Sequence, residues 1–128
     1  MGNGTPIGRV RGLGAAHDGT HHWVLQRFTA IGNLILILFL AFSFALLPGY
    51  DYATMHEWVV RPITATALAL ISVNTFWHAR HGLQILVEDY VHTPGNKFAV
   101  TAILNILAVG GSAFALLSIA RLAFGGAA

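Results

Sequence analysis

His78 stands inside a stretch that otherwise reads as a membrane-spanning helix, and Asp89 and Tyr90 follow where that stretch ends. An imidazole in hydrocarbon is expensive, so it marks a ligand, a proton-transfer group or a bond to a neighbouring helix. A phenol at the membrane surface is a neutral donor suited to a quinone carbonyl, and a carboxylate beside it can polarise that phenol or deliver protons. The plainer reading of Asp89-Tyr90 is the interfacial belt, where tyrosine is enriched. Asn74, His78 and His81 fall at i, i+4 and i+7 and share one helix face. Such a stripe on an apolar helix faces protein or a cofactor rather than lipid. A further group, His21, His22, Trp23 and Arg27, enters the first apolar block. Imidazole and guanidinium there can bond acidic groups such as haem propionates, or simply form a basic, snorkelling helix start.

The elements that must position these residues follow from composition. The 128-residue chain is 55% hydrophobic and 9% charged, against about 25% charged in a soluble domain. It cannot cover itself with charge in water. The apolar mass falls in three blocks, each meeting the ~20 residues that a helix needs to span hydrocarbon, and no alternating β-barrel segments occur. The expectation is an all-α integral membrane protein with three transmembrane helices.

The boundaries are a polar, Gly-rich segment over 1–23, helix one over 24–47, a loop over 48–61, helix two over 62–88, a loop over 89–97, helix three over 98–124 and a tail over 125–128. Pro48-Gly49 stops helix one, a short surface helix fits the first loop, and Pro62 suits the first turn of helix two. Pro94-Gly95-Asn96 makes the second turn. Ala108, Gly111, Ser112 and Ala115 give helix three small residues for close packing.

Arg9, Arg11, Arg27, Arg80 and Lys97 outnumber Arg61 and Arg121, which puts the N-terminus and the 89–97 loop in the cytoplasm and the 48–61 loop and C-terminus in the periplasm. The scarce arginines read as orientation signals, not as a nucleic-acid surface. The first residues do not read as a signal peptide. With no cysteine, the chain itself carries no iron–sulfur ligand or disulfide.

A six-coordinate haem takes axial ligands from opposite faces. His81 is one turn from His78 on the same helix, and helices one and three contain no histidine at all. A second ligand would therefore come from another chain.

Two motifs carry a resemblance. His78-Ala79-Arg80-His81-Gly82 followed by Asp89-Tyr90 resembles the H-A-x-x-G-(x)6-D-Y signature of the D-type membrane anchor subunit of succinate dehydrogenase. His21 through Ala30 resembles that family's N-terminal motif, a histidine six residues before an arginine, then x-T-A, and Arg9-Val10-Arg11-Gly12-Leu13-Gly14 is similar to the lead-in of bacterial members. The resemblance implies a bacterial inner-membrane subunit, inactive alone, that packs with a C-type cytochrome b anchor and holds the iron–sulfur and flavoprotein subunits at the membrane. It implies that His78 ligates haem b iron, with the other ligand from the C-type anchor, and that His21 and Arg27 lie near the haem propionates. It implies that Tyr90, with Asp89 beside it, hydrogen-bonds ubiquinone. FAD and iron–sulfur clusters then belong to the other subunits only. Two rival readings are a haem-free protein relaying protons through His78 and Asp89, and a purely structural anchor of another respiratory complex.

Overall fold

The computed structural model describes residues 19–125. The Arg9–Gly14 motif and the charges of Arg9 and Arg11 lie outside them. Four α-helices occur among the described residues: α1 (Gly19–Ala45), α2 (Tyr52–Val60), α3 (Pro62–Tyr90) and α4 (Pro94–Phe124). The all-α architecture is as expected, with the short α2 as a fourth helix in the first loop. Two helices, α1 and α4, are each long and apolar enough to cross a membrane. The 29 residues of α3 also suffice in length, but Asn74, His78, Arg80 and His81 dilute its apolar character.

Local sequence explains most of the boundaries. α1 begins at Gly19, so His21 and His22 ride on its first turns. The expectation that helix one lacks histidine is thereby corrected: polarity marks the membrane surface, while helical hydrogen bonding continues past it. Pro94 opens α4 upstream of the expected start, because a proline in the first turn gives up only an amide that has no intrahelical acceptor. Between α2 and α3 the chain bends by 78°. Arg61 takes an extended backbone (φ −58°, ψ 130°), as a residue preceding proline must.

The Asp51 carboxylate caps α2, accepting from the Thr54 amide at 3.2 Å and the Thr54 hydroxyl at 2.7 Å. These bonds hold its carboxyl below the ordinary value. The cap is therefore complete above the usual carboxylate range and fades as pH falls through the depressed value. Trp58 Nε1 donates to Ser43 Oγ at 3.2 Å, and the Trp58 ring meets Phe44 edge-on, which pins α2 to the end of α1.

α3 is the central element. It packs antiparallel to α1 on one side and to α4 on the other, while α1 and α4 do not touch. The three long helices thus form a row rather than a closed bundle. Seven described residues are buried, and Thr29, Thr64 and His81 are among them. Large apolar side chains point outward instead, Phe28 being 75% and Phe98 78% exposed. This pattern suits lipid, which solvates leucine and phenylalanine but offers polar groups no partner. Ser72, Ser112 and Ser118 hydroxyls donate back to carbonyls of their own helices for the same reason.

α3 meets α4 through small residues and one polar contact. Gly111 lies under the Phe76 ring, which would occupy the place of any Cβ there. Arg80 Nε donates to Asn105 Oδ1, and its guanidinium sits 5.3 Å from the Trp77 ring centre. Gly111→Leu should overpack this contact and cost about 1–3 kcal/mol. Unfolding of the protein in detergent measures the loss, and Phe76→Ala in the same chain should restore most of it.

Candidate functional site

The polar residues of α1 that face α3 are His22, Gln26, Thr29 and Asn33, and their spacing is one helix face. Opposite them on α3 stand His81, Gly82, His78, Asn74 and Thr75. The pairing is antiparallel and runs along the helices like a zipper. Asn74 Nδ2 donates to the Thr29 carbonyl at 2.7 Å and to Asn33 Oδ1 at 2.8 Å. Thr75 Oγ1 donates to the same Asn33 oxygen at 3.2 Å. Gly32 makes room for Asn74, since a Cβ there would stand 3.0 Å from its amide nitrogen.

One turn nearer the α1 start, Thr29 Oγ1 lies 2.9 Å from His78 Nδ1. The same hydroxyl lies 2.8 Å from the Leu25 carbonyl and 3.1 Å from the Gln26 carbonyl. Carbonyl oxygens only accept, so the single hydroxyl proton goes to them and His78 donates its Nδ1 hydrogen. His78 Nε2 then carries the imidazole lone pair. His78 is half-buried, which leaves that nitrogen within reach of a group beyond this chain.

His81 is different. It is 4% exposed, with its ring edge-on to His22 at 5.4 Å and to Trp77 at 5.7 Å. Both its ring nitrogens, with Gln26 Oε1 and Gln84 Oε1, are buried without a protein partner. Closed in between two helices, His81 offers no open face to a planar macrocycle.

The remaining candidates sit apart. His21 and Arg27 are exposed, and the Arg27 guanidinium lies 5.0 Å from the Trp23 ring centre. Arg27 precedes Thr29 by two residues, so it points away from the seam. Asp89 and Tyr90 end α3, about 18 Å along an unbroken helix from His78. Tyr90 is 77% exposed. It closes an apolar groove between α3 and α4 lined by Leu83, Val87, Val100 and Leu104. As successive residues, Asp89 and Tyr90 face different ways. The fold thus brings Thr29, Asn33, Asn74 and His78 together, and leaves His21, Arg27 and Asp89-Tyr90 outside that cluster. Thr29 and Asn33 carried a legible signal, because the i, i+4, i+7 rule applied to helix one finds both.

Comparison with known proteins gives the family. The model of the succinate dehydrogenase/fumarate reductase transmembrane subunit family matches residues 1–118. The chain belongs to this family. It is similar to the succinate dehydrogenase hydrophobic membrane anchor subunit of Rickettsia bellii, 31% identical over 100 residues that cover 78% of each chain. The succinate dehydrogenase membrane anchor subunit of Reclinomonas americana is 31% identical over 95 residues, 72% of this chain and 79% of its own. The hydrophobic membrane anchor subunit of Paracoccus denitrificans is 29% identical over 97 residues, 75% and 74% of the two chains. The chain is therefore a membrane subunit of a larger enzyme, not an enzyme alone.

The seam makes a direct prediction. Asn74→Leu removes two interhelical bonds and leaves the Asn33 oxygen with only the Thr75 donor. The loss should be about 1–2 kcal/mol in stability against unfolding in detergent. An unchanged unfolding midpoint would mean that apolar packing alone holds α1 on α3.

Proposed function

We propose that this chain is the D-type anchor of a bacterial succinate:quinone oxidoreductase, in which His78 supplies one axial ligand to haem b and Tyr90 binds ubiquinone. The observation that carries the reading is the pairing of His78 Nδ1 with Thr29, which commits one ring nitrogen to protein and frees the other for iron. The donor chemistry fits the group: with Nδ1 bonded to Thr29, the His78 Nε2 lone pair would hold haem iron together with a ligand from a C-type cytochrome b anchor. The row of helices supports a partner, because the two long helices flanking α3 leave His78 half-buried. When bound, the haem supplies reversible one-electron chemistry.

The chain's own residues then have separate tasks. His78 would hold iron through Nε2. His21 and Arg27, on the first turns of α1, supply cationic or hydrogen-bonding groups toward the propionates. At the end of α3 the Tyr90 phenol donates to a quinone carbonyl, and the apolar groove beside it suits the quinone's hydrocarbon body. Negative charge grows on that carbonyl as the quinone is reduced, so a fixed donor favours the reduced side. Asp89, exposed at the same end, is placed to exchange protons with water. The flavoprotein oxidises succinate, and the iron–sulfur subunit docks at the Tyr90 face and passes electrons to the quinone there.

This orientation is cytoplasmic for the N-terminus and the 91–93 turn, and periplasmic for the C-terminus. Arg80 is engaged with Asn105 inside the helix row, so the charge bias rests on Arg27 and Lys97 with Arg9 and Arg11.

In the purified complex, His78→Leu should abolish or alter the low-spin haem spectrum, whereas His81→Leu should keep it. The reverse pattern would move the axial ligand to His81. Tyr90→Phe keeps the ring and deletes one donor. Succinate–quinone turnover should fall severalfold or more, the scale of a lost hydrogen bond at ~1–3 kcal/mol. Haem content, and succinate oxidation with a soluble acceptor, should stay at wild-type levels. Undiminished quinone turnover would make Tyr90 a belt residue.

A further inference from the structure

We infer that Thr29 is a positioning residue for the haem ligand: its hydroxyl oxygen, held by the preceding turn of α1, accepts the Nδ1 hydrogen of His78 and so sets both the direction and the electron donation of Nε2. The inference rests on the assignment of His78 as axial ligand.

The geometry gives Thr29 little freedom. Its side chain is 6% exposed, and its hydroxyl lies 2.8 Å and 3.1 Å from the Leu25 and Gln26 carbonyls. A β-branched side chain in a helix has few χ1 states, and this back-bonded one fixes the oxygen lone pairs toward α3. The backbone of Thr29 is anchored as well, since its carbonyl accepts from Asn74 Nδ2 at 2.7 Å, one turn before His78 on α3. Thr29 is thus bonded to α3 at two successive turns, through its carbonyl and its hydroxyl. The imidazole ring cannot rotate about its Cβ–Cγ bond without breaking the 2.9 Å contact.

The electronic consequence follows from general ligand chemistry. An imidazole whose distal N–H is donated to an acceptor becomes a stronger base at the other nitrogen. A stronger axial donor stabilises the ferric over the ferrous state, and hydrogen bonding to the axial ligand is one of the means by which a protein sets haem potential. Thr29 therefore holds the potential lower than an unbonded imidazole would. No charge is moved, so the effect acts on the iron's equilibrium without altering the net charge of the site.

The test uses the whole purified complex. Thr29→Val preserves shape and removes the acceptor, Thr29→Ala removes it with less risk of overpacking, and Thr29→Ser restores it. Thr29→Val, or Thr29→Ala if the first does not assemble, should retain haem with a raised midpoint potential and a changed low-spin electron paramagnetic resonance signal. Thr29→Ser should return both toward wild type. Asn74→Leu, which loses two seam bonds but keeps the Thr29 hydroxyl, should lower the unfolding midpoint without moving the potential, which separates ligand tuning from helix packing. Wild-type potential and signal in Thr29→Val and Thr29→Ala would overturn the inference, as would an equal shift in Thr29→Ser. His78→Leu in the same series keeps the two levels apart. Loss of its low-spin haem with no shift in the Thr29 variants removes only the role of Thr29, whereas an unaltered haem in His78→Leu removes the axial assignment itself.

Discussion

Hydrocarbon gives a polar group no partner, and the placement of α1 against α3 depends on that constraint. Thr29, Asn33, Asn74, Thr75 and His78 are polar residues in helices meant for lipid, and they satisfy one another across a single antiparallel seam. Leucine and phenylalanine gain almost nothing by leaving lipid, so apolar contact alone would specify neither the face nor the register of the pair. The amide of Asn74 spans the Thr29 carbonyl and the Asn33 side chain at once, which sets both. Gly32 leaves the room that the Asn74 side chain needs to make those bonds. Stability and site are here the same set of contacts: the bonds that dock α1 also orient the imidazole of His78.

The other flank of α3 works differently. One bond, from Arg80 to Asn105, is joined there by a glycine beneath an aromatic ring. A guanidinium within a helix row is tolerated because an amide oxygen accepts from it and an indole face lies under it. α1 and α4 do not pack together, and the short α2 reaches across one end of the row to α4. A closed three-helix bundle would have sealed His78 inside, and the open row is what makes a group shared with a second chain feasible.

Much of this was legible in the sequence because membrane helices are read by length and apolarity. The three apolar blocks, the surface helix before Pro62 and the shared face of Asn74, His78 and His81 all follow from spacing and composition. The start of α1 was less legible, since nothing in Thr20-His21-His22 breaks a helix and polarity reports only the membrane surface. The partners of His78 and Asn74 lay further off. Thr29 and Asn33 are 49 and 41 residues from the side chains they bond. Helical periodicity places them on one face, but which face turns to α3 is a tertiary fact. His78 and His81 also share a face in sequence, and only packing separates them, one half-buried with a bonded nitrogen and the other enclosed with neither nitrogen bonded.

In the proposed function this chain gives one imidazole to a haem completed by a second chain. The most direct measurement is a reduced-minus-oxidised visible spectrum of the purified wild-type complex, taken with near-infrared magnetic circular dichroism of the oxidised form. A low-spin b-type haem with the charge-transfer band of two imidazole ligands is expected, in a ratio of one haem to one copy of this chain. A complex that turns over without haem, or whose haem is high-spin with a single imidazole ligand, would contradict it.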